Sequence, residues 1–171
     1  VMSAYVTRKL DTKYEIDAAS EEHRARLEQL REKPAQSASP KGTQATPVWI
    51  WYPDGKPAAD APAEARFFRR RFELRAQPET AVLRVAADDV CDVFVNGAKV
   101  GSHQTWQRTA VFAVGRLLKP GANVVAVRAE NRPAPHKNPA GLIVRMAITQ
   151  SNGSQQVIVS DGSWRSEKRT I

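Results

Sequence analysis

A period of two limits the fold more than any other feature. From Val48 onward, apolar and polar residues alternate in short runs at 48–52, 67–74, 81–87, 90–95, 109–114, 124–129, 142–148 and 156–159. Successive side chains on a β-strand point to opposite faces, so each run reads as a strand with one buried face. Turn formers separate the runs: Pro53-Asp54-Gly55, Gln77-Pro78, Asn96-Gly97, Lys119-Pro120-Gly121, Asn152-Gly153 and Asp161-Gly162. Asn96-Gly97 is the strongest of them, because a two-residue hairpin turn needs positive φ and Asn-Gly tolerates it. About eight strands at this spacing predict an all-β fold, an antiparallel sandwich or barrel, rather than alternating strands and helices.

The first part of the chain is different. Around residues 18–33, Asp17 or Ser20 can cap a helix, Glu21 and Glu22 suit its first turn, and Arg31 and Lys33 suit its last before Pro34. Its apolar content is only Ala25, Leu27 and Leu30. Such a face buries little by itself, so a helix here must dock on a partner or on the main domain, or fray. PAQSASPKGTQAT, residues 34–46, reads as a linker. The expected organisation is a helical segment at 1–33, a linker at 34–46, a β-domain at 47–166 and a tail at 167–171.

With 171 residues there is room for one domain and an appendage. No apolar run approaches the roughly 20 residues of a membrane span. The start, VMSAYVTRKLDTKYEI, lacks a secretory signal and opens on Val1, which suggests a mature chain or a fragment. The net charge is +8; residues 1–33 carry seven basic and seven acidic side chains, so the surplus belongs to the β-domain. A surplus of that sign favours contact with an anionic partner. Cys91 is the only cysteine, which excludes an internal disulfide; in an apolar alternation it reads as a buried thiol.

RFFRRRFEL, residues 66–74, resembles a basic binding patch, but alternation sorts it into two faces. Phe68, Arg70, Phe72 and Leu74 share the core side; Phe67, Arg69, Arg71 and Glu73 share the solvent side. Arg70 then has to snorkel out or pair with a buried carboxylate, for which Asp92 is a candidate.

Catalytic constellations are sparse. Asp88 and Asp89 are adjacent, so along a strand they point apart and do not form an acid–base pair across a cleft. They suit a strand-end or turn role, with a ligand or calcium contact as the alternative. His23, His103 and His136 lack a Gly-x-Ser-x-Gly elbow and metal-ligand spacing. No phosphate-cradling glycine loop occurs, and Asn152-Gly153-Ser154 matches a glycosylation sequon that also reads as a turn.

Sugar recognition needs flat aromatic faces beside planar polar groups on a concave edge. Trp106 lies in the polar loop GSHQTWQR with His103, Gln104, Gln107 and Arg108. A second polar loop runs from Glu130 through Asn131, Arg132 and His136 to Asn138. Trp49, Trp51 and Trp164 are expected in the core.

Several stretches together resemble a known family. WIWYPDGKPAADAPAEARFFRRRFEL, ADDVCDVFVNGAKVG, TWQR, LLKPGANVVAVRAEN and GLIVRMAI are similar, over about residues 47–166, to galactose-binding-like jelly-roll domains. Such domains accompany α-L-rhamnosidases, family-two glycosidases and large surface or periplasmic proteins of planctomycete-type bacteria. The resemblance implies an antiparallel jelly-roll β-sandwich, usually non-catalytic, that binds or positions carbohydrate beside an enzyme; some members act as spacers. Asp88 and Asp89 match the acidic pair before the hairpin, Trp106 the aromatic after it, and Asn131 the polar residue closing the long strand. Cys91 and Asp92 depart from the aromatic or aliphatic residues usual there. A structural calcium is compatible with folds of this kind, but no loop concentrates oxygen ligands.

The leading expectation is a carbohydrate-binding or carbohydrate-associated module, not itself an enzyme, with acidic or sulfated polysaccharide favoured by the charge. Asp88, Asp89, Trp106, Arg108, Asn131, Arg132 and His136 would form its edge site, in a periplasmic or extracellular setting implied by the resemblance. The alternative is a spacer that docks on a larger protein partner through residues 18–33. Nucleic-acid binding through Arg69 and Arg71 is the third reading; the charge supports it, but the stacking aromatics of single-strand binders are missing.

Overall fold

A computed structural model of the chain describes residues 45–168. The expected helix at 18–33, nearly all of the linker and the end of the tail lie outside the described residues. Among the described residues there are nine strands: β1 (Ala65–Leu74), β2 (Pro78–Asp88), β3 (Val90–Val95), β4 (Ala98–His103), β5 (Ala110–Ala113), β6 (Gly121–Glu130), β7 (Gly141–Gln150), β8 (Gln155–Val159) and β9 (Arg165–Glu167). They form two antiparallel sheets, one of five strands in the order β4-β3-β6-β1-β9 and one of four in the order β5-β2-β7-β8. The fold is therefore an all-β sandwich. Among the described residues the helical content is one 3-10 turn, Gly115–Leu117, and no helix is long and apolar enough to cross a membrane.

Alternation built the core as expected. Phe68 and Phe72 of β1, Val93 and Val95 of β3, and Val125 and Val127 of β6 are buried from one sheet. Leu83 and Val85 of β2 face them, with Val144, Met146 and Ile148 of β7. Cys91 is fully buried among them. Burial, and secondarily the charge of Asp92, pushes its thiol pKa up to about 11.

Two expected features differ. The run at 48–52 is not a strand: only Ile50 bridges Leu142, through a reciprocal pair of 2.9 Å backbone bonds. Pairing of β8 with β7 stops at Val159–Arg145, and the segment around Ile50 occupies the edge of β7 left free beyond it. Ser160 splices the two pieces. Its hydroxyl accepts from the Val144 amide (3.0 Å) and donates to the Val48 carbonyl (2.6 Å). Strands β4 and β9, in contrast, had no apolar run to announce them. Both lie at sheet edges and bury few side chains, so packing imposes no hydrophobic alternation on them.

Arg70 does not pair with Asp92. Asp92 points to the outer face, where Lys99 (2.9 Å), the Ser102 hydroxyl (2.6 Å) and Arg128 (4.0 Å) hold it. Arg70 takes the other course open to it and reaches out to donate to the Ser163 carbonyl at 3.2 Å.

The hairpin and the following loop are joined through side chains. Asn96, at φ 49°, donates to the Leu117 carbonyl (2.7 Å) and to Asn123 Oδ1 (2.9 Å), and accepts from the Val124 amide (2.9 Å). Asn123 is buried; it donates to the carbonyls of Lys119 and Gly121 and accepts from the Lys119 amide. The VNG and LKPGAN stretches thus form one polar lock.

Candidate functional site

At one end of the sandwich a groove of about 400 Å³ is lined by Trp49, Ala58, Asp88, Trp106, Pro139, Ala140 and Gly141. Four chain segments converge there. Asp88 ends β2, in register with Gly141, which begins β7. Trp106 sits in the loop after β4, and Trp49 in the irregular segment before Ile50. Both indoles are about half exposed, at 50% for Trp49 and 54% for Trp106. Two large exposed apolar rings on one groove are a departure from the ordinary surface, where such side chains stand singly.

Trp49 is therefore not a core residue, contrary to the expectation. Trp51 packs against Phe68 with ring centroids 5.4 Å apart, and Trp164 is buried with Nε1 donating to the Val159 carbonyl (2.7 Å). The sequence signal for the difference is the bracketing of Trp49 and Trp51 by Pro47 and Pro53. A segment so bracketed loses ladder hydrogen bonds, so alternation stops being a guide to its faces. Gly141 was not singled out either; its missing side chain is what lets the Trp49 ring lie against the start of β7.

Asp88 is the groove's titrating group. Partial burial is the main cause, and the adjacent Asp89 carboxylate adds charge repulsion and a hydrogen bond; together they raise its pKa from 3.8 to about 6. Strand alternation ends with β2 at Asp88, so it does not govern where Asp89 points. The peptide between them is cis. Asp89 is committed to the backbone: its amide donates to the Glu130 carbonyl (3.0 Å) and its Oδ2 accepts from the Arg132 amide (2.8 Å).

The other four sequence candidates lie elsewhere. Asn131 is buried, and its amide nitrogen donates to the carbonyls of Ala61 (3.1 Å) and Pro62 (3.2 Å). It braces the 61–64 loop instead of facing the groove. Arg108, Arg132 and His136 are exposed and are not part of the groove lining; the Arg108 carbonyl accepts from His103 Nε2 (2.6 Å). Of the seven, Asp88 and Trp106 share the groove and Asp89 stands beside it.

For the structural calcium, no three His, Cys, Asp or Glu side chains converge on a metal position among the described residues. What the groove offers is two flat apolar faces and a carboxyl group. That combination can grip a ligand whose rings carry both C–H faces and hydroxyls.

Comparison with known proteins bears on the same region. Residues 76–171 match the family described as "Alpha-L-rhamnosidase N-terminal domain". An α-L-rhamnosidase of Streptomyces avermitilis is 38% identical over 124 residues, which is 69% of this chain and 12% of that protein. The crystal structure of the Streptomyces avermitilis α-L-rhamnosidase complexed with L-rhamnose superposes with a TM-score of 0.66 at 37% identity, covering 73% of this chain and 12% of that one. A Pleurotus ostreatus lectin solved in complex with GalNAc superposes with a TM-score of 0.61 at 32% identity, over 72% of this chain and 35% of the lectin. The chain thus spans about an eighth of the curated relative it matches.

Proposed function

The chain belongs to the α-L-rhamnosidase N-terminal domain family, and from that premise we propose that it is a non-catalytic, carbohydrate-binding module of a larger α-L-rhamnoside-cleaving enzyme. The observation that carries the proposal is the groove between Trp49 and Trp106 with Asp88 beside them. A sugar ring presents a C–H face that packs on an indole, and its hydroxyls need acceptors and donors at the edge. Asp88 serves either way: as a carboxylate it accepts, and below about pH 6 its carboxyl also donates. Asp89 stands beside this edge, while Arg108, Arg132 and His136 lie outside the groove.

Two comparisons support the sugar reading. One neighbour is a lectin solved with GalNAc, and another is a rhamnosidase solved with L-rhamnose. The strand orders suit a galactose-binding-like jelly roll, and a periplasmic or extracellular location follows for a module that meets polysaccharide. The basic surplus of the β-domain favours acidic or sulfated glycans.

Calorimetric titration of the full chain with L-rhamnose, GalNAc and rhamnose-containing oligosaccharides tests the proposal. Binding that falls at least tenfold in both Trp49→Ala and Trp106→Ala supports it. Absence of binding to any of these sugars, or affinities unchanged in both variants, overturns it.

The spacer reading has one observation of its own: the matched relative is about eight times longer than the aligned portion, so most of such an enzyme lies elsewhere and offers a docking surface. Under that reading, deletion of residues 1–33 abolishes association with the remainder of the enzyme and leaves unfolding of the β-sandwich unchanged. Retained association overturns a docking role for residues 1–33.

A further inference from the structure

The five-stranded sheet carries a second concavity, away from the tryptophan groove. It has a volume of about 460 Å³ and is lined by Arg69, Arg70, Arg71, Val124, Ser163 and Arg165. Arg69 of β1 and Arg165 of β9 are direct cross-strand partners, and Arg71 follows Arg69 by two positions on the outer face. Like charges directly opposite on a sheet repel. Elsewhere on this face Lys99 and Arg128 are matched with Asp92, and Arg128 also with Glu130. Arg69, Arg71 and Arg165 form no ion pair with a carboxylate among the described residues, and no acidic side chain lines the cleft. Asp161 is hydrogen-bonded to Ser163, and Glu73 and Glu167, two positions along β1 and β9 from Arg71 and Arg165, neither line the cleft nor form an ion pair with its arginines.

An apolar groove of about 350 Å³ adjoins the cleft, sharing Arg69 and Val124 with it and exposing parts of Phe67, Phe94 and Ala126. Planar guanidinium forks match the oxygen geometry of sulfates and carboxylates, and an adjacent apolar strip suits the C–H face of a ring. We propose that the Arg69–Arg71–Arg165 cleft is a binding site for the sulfate or carboxylate substituent of an acidic polysaccharide, whose ring lies along Phe67 and Phe94. The site rests on the carbohydrate reading but is independent of the tryptophan groove, so either can fail without the other. It accounts for where the positive surplus acts: an arriving oxyanion relieves a repulsion that the folded sheet otherwise carries.

The test uses the full chain, with dextran sulfate and polygalacturonate as probes and neutral dextran as control, titrated at low and at 0.15 M ionic strength (about an 8 Å screening length). The variant R69Q/R71Q/R165Q is compared with R75Q/R84Q/R116Q, which removes the same charge at other exposed arginines. The site predicts binding of at least one acidic probe and none of neutral dextran. It also predicts a loss of tenfold or more and a shallower salt dependence in the cleft variant only. The W49A/W106A variant should retain acidic-probe binding. Equal losses in both arginine variants would mean diffuse charge and overturn the proposal, as would unchanged affinity in the cleft variant. Displacement of the acidic glycan by duplex DNA, with DNA the tighter ligand by tenfold, would reassign the cleft to nucleic acid. Matching thermal unfolding of the two arginine variants confirms that folding is not what changed.

Discussion

Trp49 lies against Gly141 so closely that a Cβ on the glycine would fall 2.7 Å from Cε3 of the indole and 3.3 Å from Cζ3. The ring is half exposed, so it has room to swing aside. Gly141→Ala should therefore cost less than about 1 kcal/mol of stability, below the usual penalty for overpacking a closed core. Its effect should fall on the ligand instead. With Trp49 displaced, we expect sugar affinity to drop roughly tenfold, or 1.4 kcal/mol. Thermal unfolding and calorimetry on one preparation separate the two; a large stability loss with intact binding would place the contact in the scaffold rather than the site.

The raised pKa of Asp88 makes a prediction with a definite sign. Its carboxyl keeps its proton more readily in the folded state than in the unfolded one, so its contribution is fully present below 3.8 and is lost as pH rises toward about 6. Asp88→Asn cannot ionise and escapes that loss. The variant should gain in melting temperature relative to the parent between pH 4 and 7, and the gain should level off above pH 7. Asp54, Asp92 and Asp161 have lowered pKa values, set mainly by hydrogen bonds from Lys168, Ser102 and Ser163 respectively. Their acid-side losses occur in both proteins and cancel. A pH-independent difference would refute the assignment.

Cys91 should be silent in the native protein. Complete burial and a thiol pKa of about 11 leave almost no thiolate at neutral pH. Reaction with a disulfide reagent at pH 8 should then wait for opening of the sandwich and accelerate in step with denaturant. Rapid stoichiometric labelling of folded protein would show that the 90–95 strand opens locally.

The difference between what could and could not be read in the sequence follows burial. Strands β1, β2, β3, β6 and β7 each turn one face to the core, and their alternation was plain. Edge strands β4 and β9 bury little; the Asn96-Gly97 turn between Val95 and Ala98 foretells β4, and no pattern foretells β9. Arg66 shows a subtler limit. It stands on the same face as Phe68, at 1% exposure, yet it looked like one more member of a basic run. Its partners, Asp54 and Glu64, come from a loop whose path no local pattern specified. The candidate site divides the same way. Trp106 announced itself through its polar neighbours, while Trp49 became part of the groove because a segment bracketed by prolines pairs with β7 at one residue only. Asn131 had the chemistry of a ligand contact, but the 61–64 loop claimed it.

The Asn96–Asn123 lock allows the turn to be separated from its side-chain anchors. Asn96→Gly keeps a residue that accepts φ near 49° and removes three hydrogen bonds, of which two are donated and one accepted. Asn123→Ala leaves the Lys119 amide and the Lys119 and Gly121 carbonyls without their partner at a buried position. Lys119 and Gly121 are themselves exposed, so water takes over part of these bonds, and Asn123→Ala should destabilise by about 1–3 kcal/mol. Asn96→Gly should cost about half as much, since its site is exposed to water. Denaturant melts give both values, and the double variant should cost less than their sum because the two share a bond. Strict additivity would mean that the hairpin and the loop are independent.

Arg66 provides the sharpest stability test, because it is the buried partner and both its carboxylates are more exposed. Its guanidinium reaches Glu64 at 2.7 Å and Asp54 at 3.2 Å and lies 5.3 Å from the centroid of the Tyr52 ring, while Nε has no partner. Removing the carboxylates leaves a cation in a site it cannot leave; removing the arginine leaves two carboxylates that water can reach. Asp54→Ala with Glu64→Ala should therefore lower the melting temperature clearly, because it strands the buried guanidinium. Arg66→Met keeps much of the volume and should cost distinctly less. Combining all three substitutions should recover stability relative to the double carboxylate variant. If Arg66→Met proves the more damaging change, the guanidinium is stabilised chiefly by Tyr52 and backbone contacts, such as its 3.0 Å hydrogen bond to the Ala65 carbonyl, and the ion pairs are secondary.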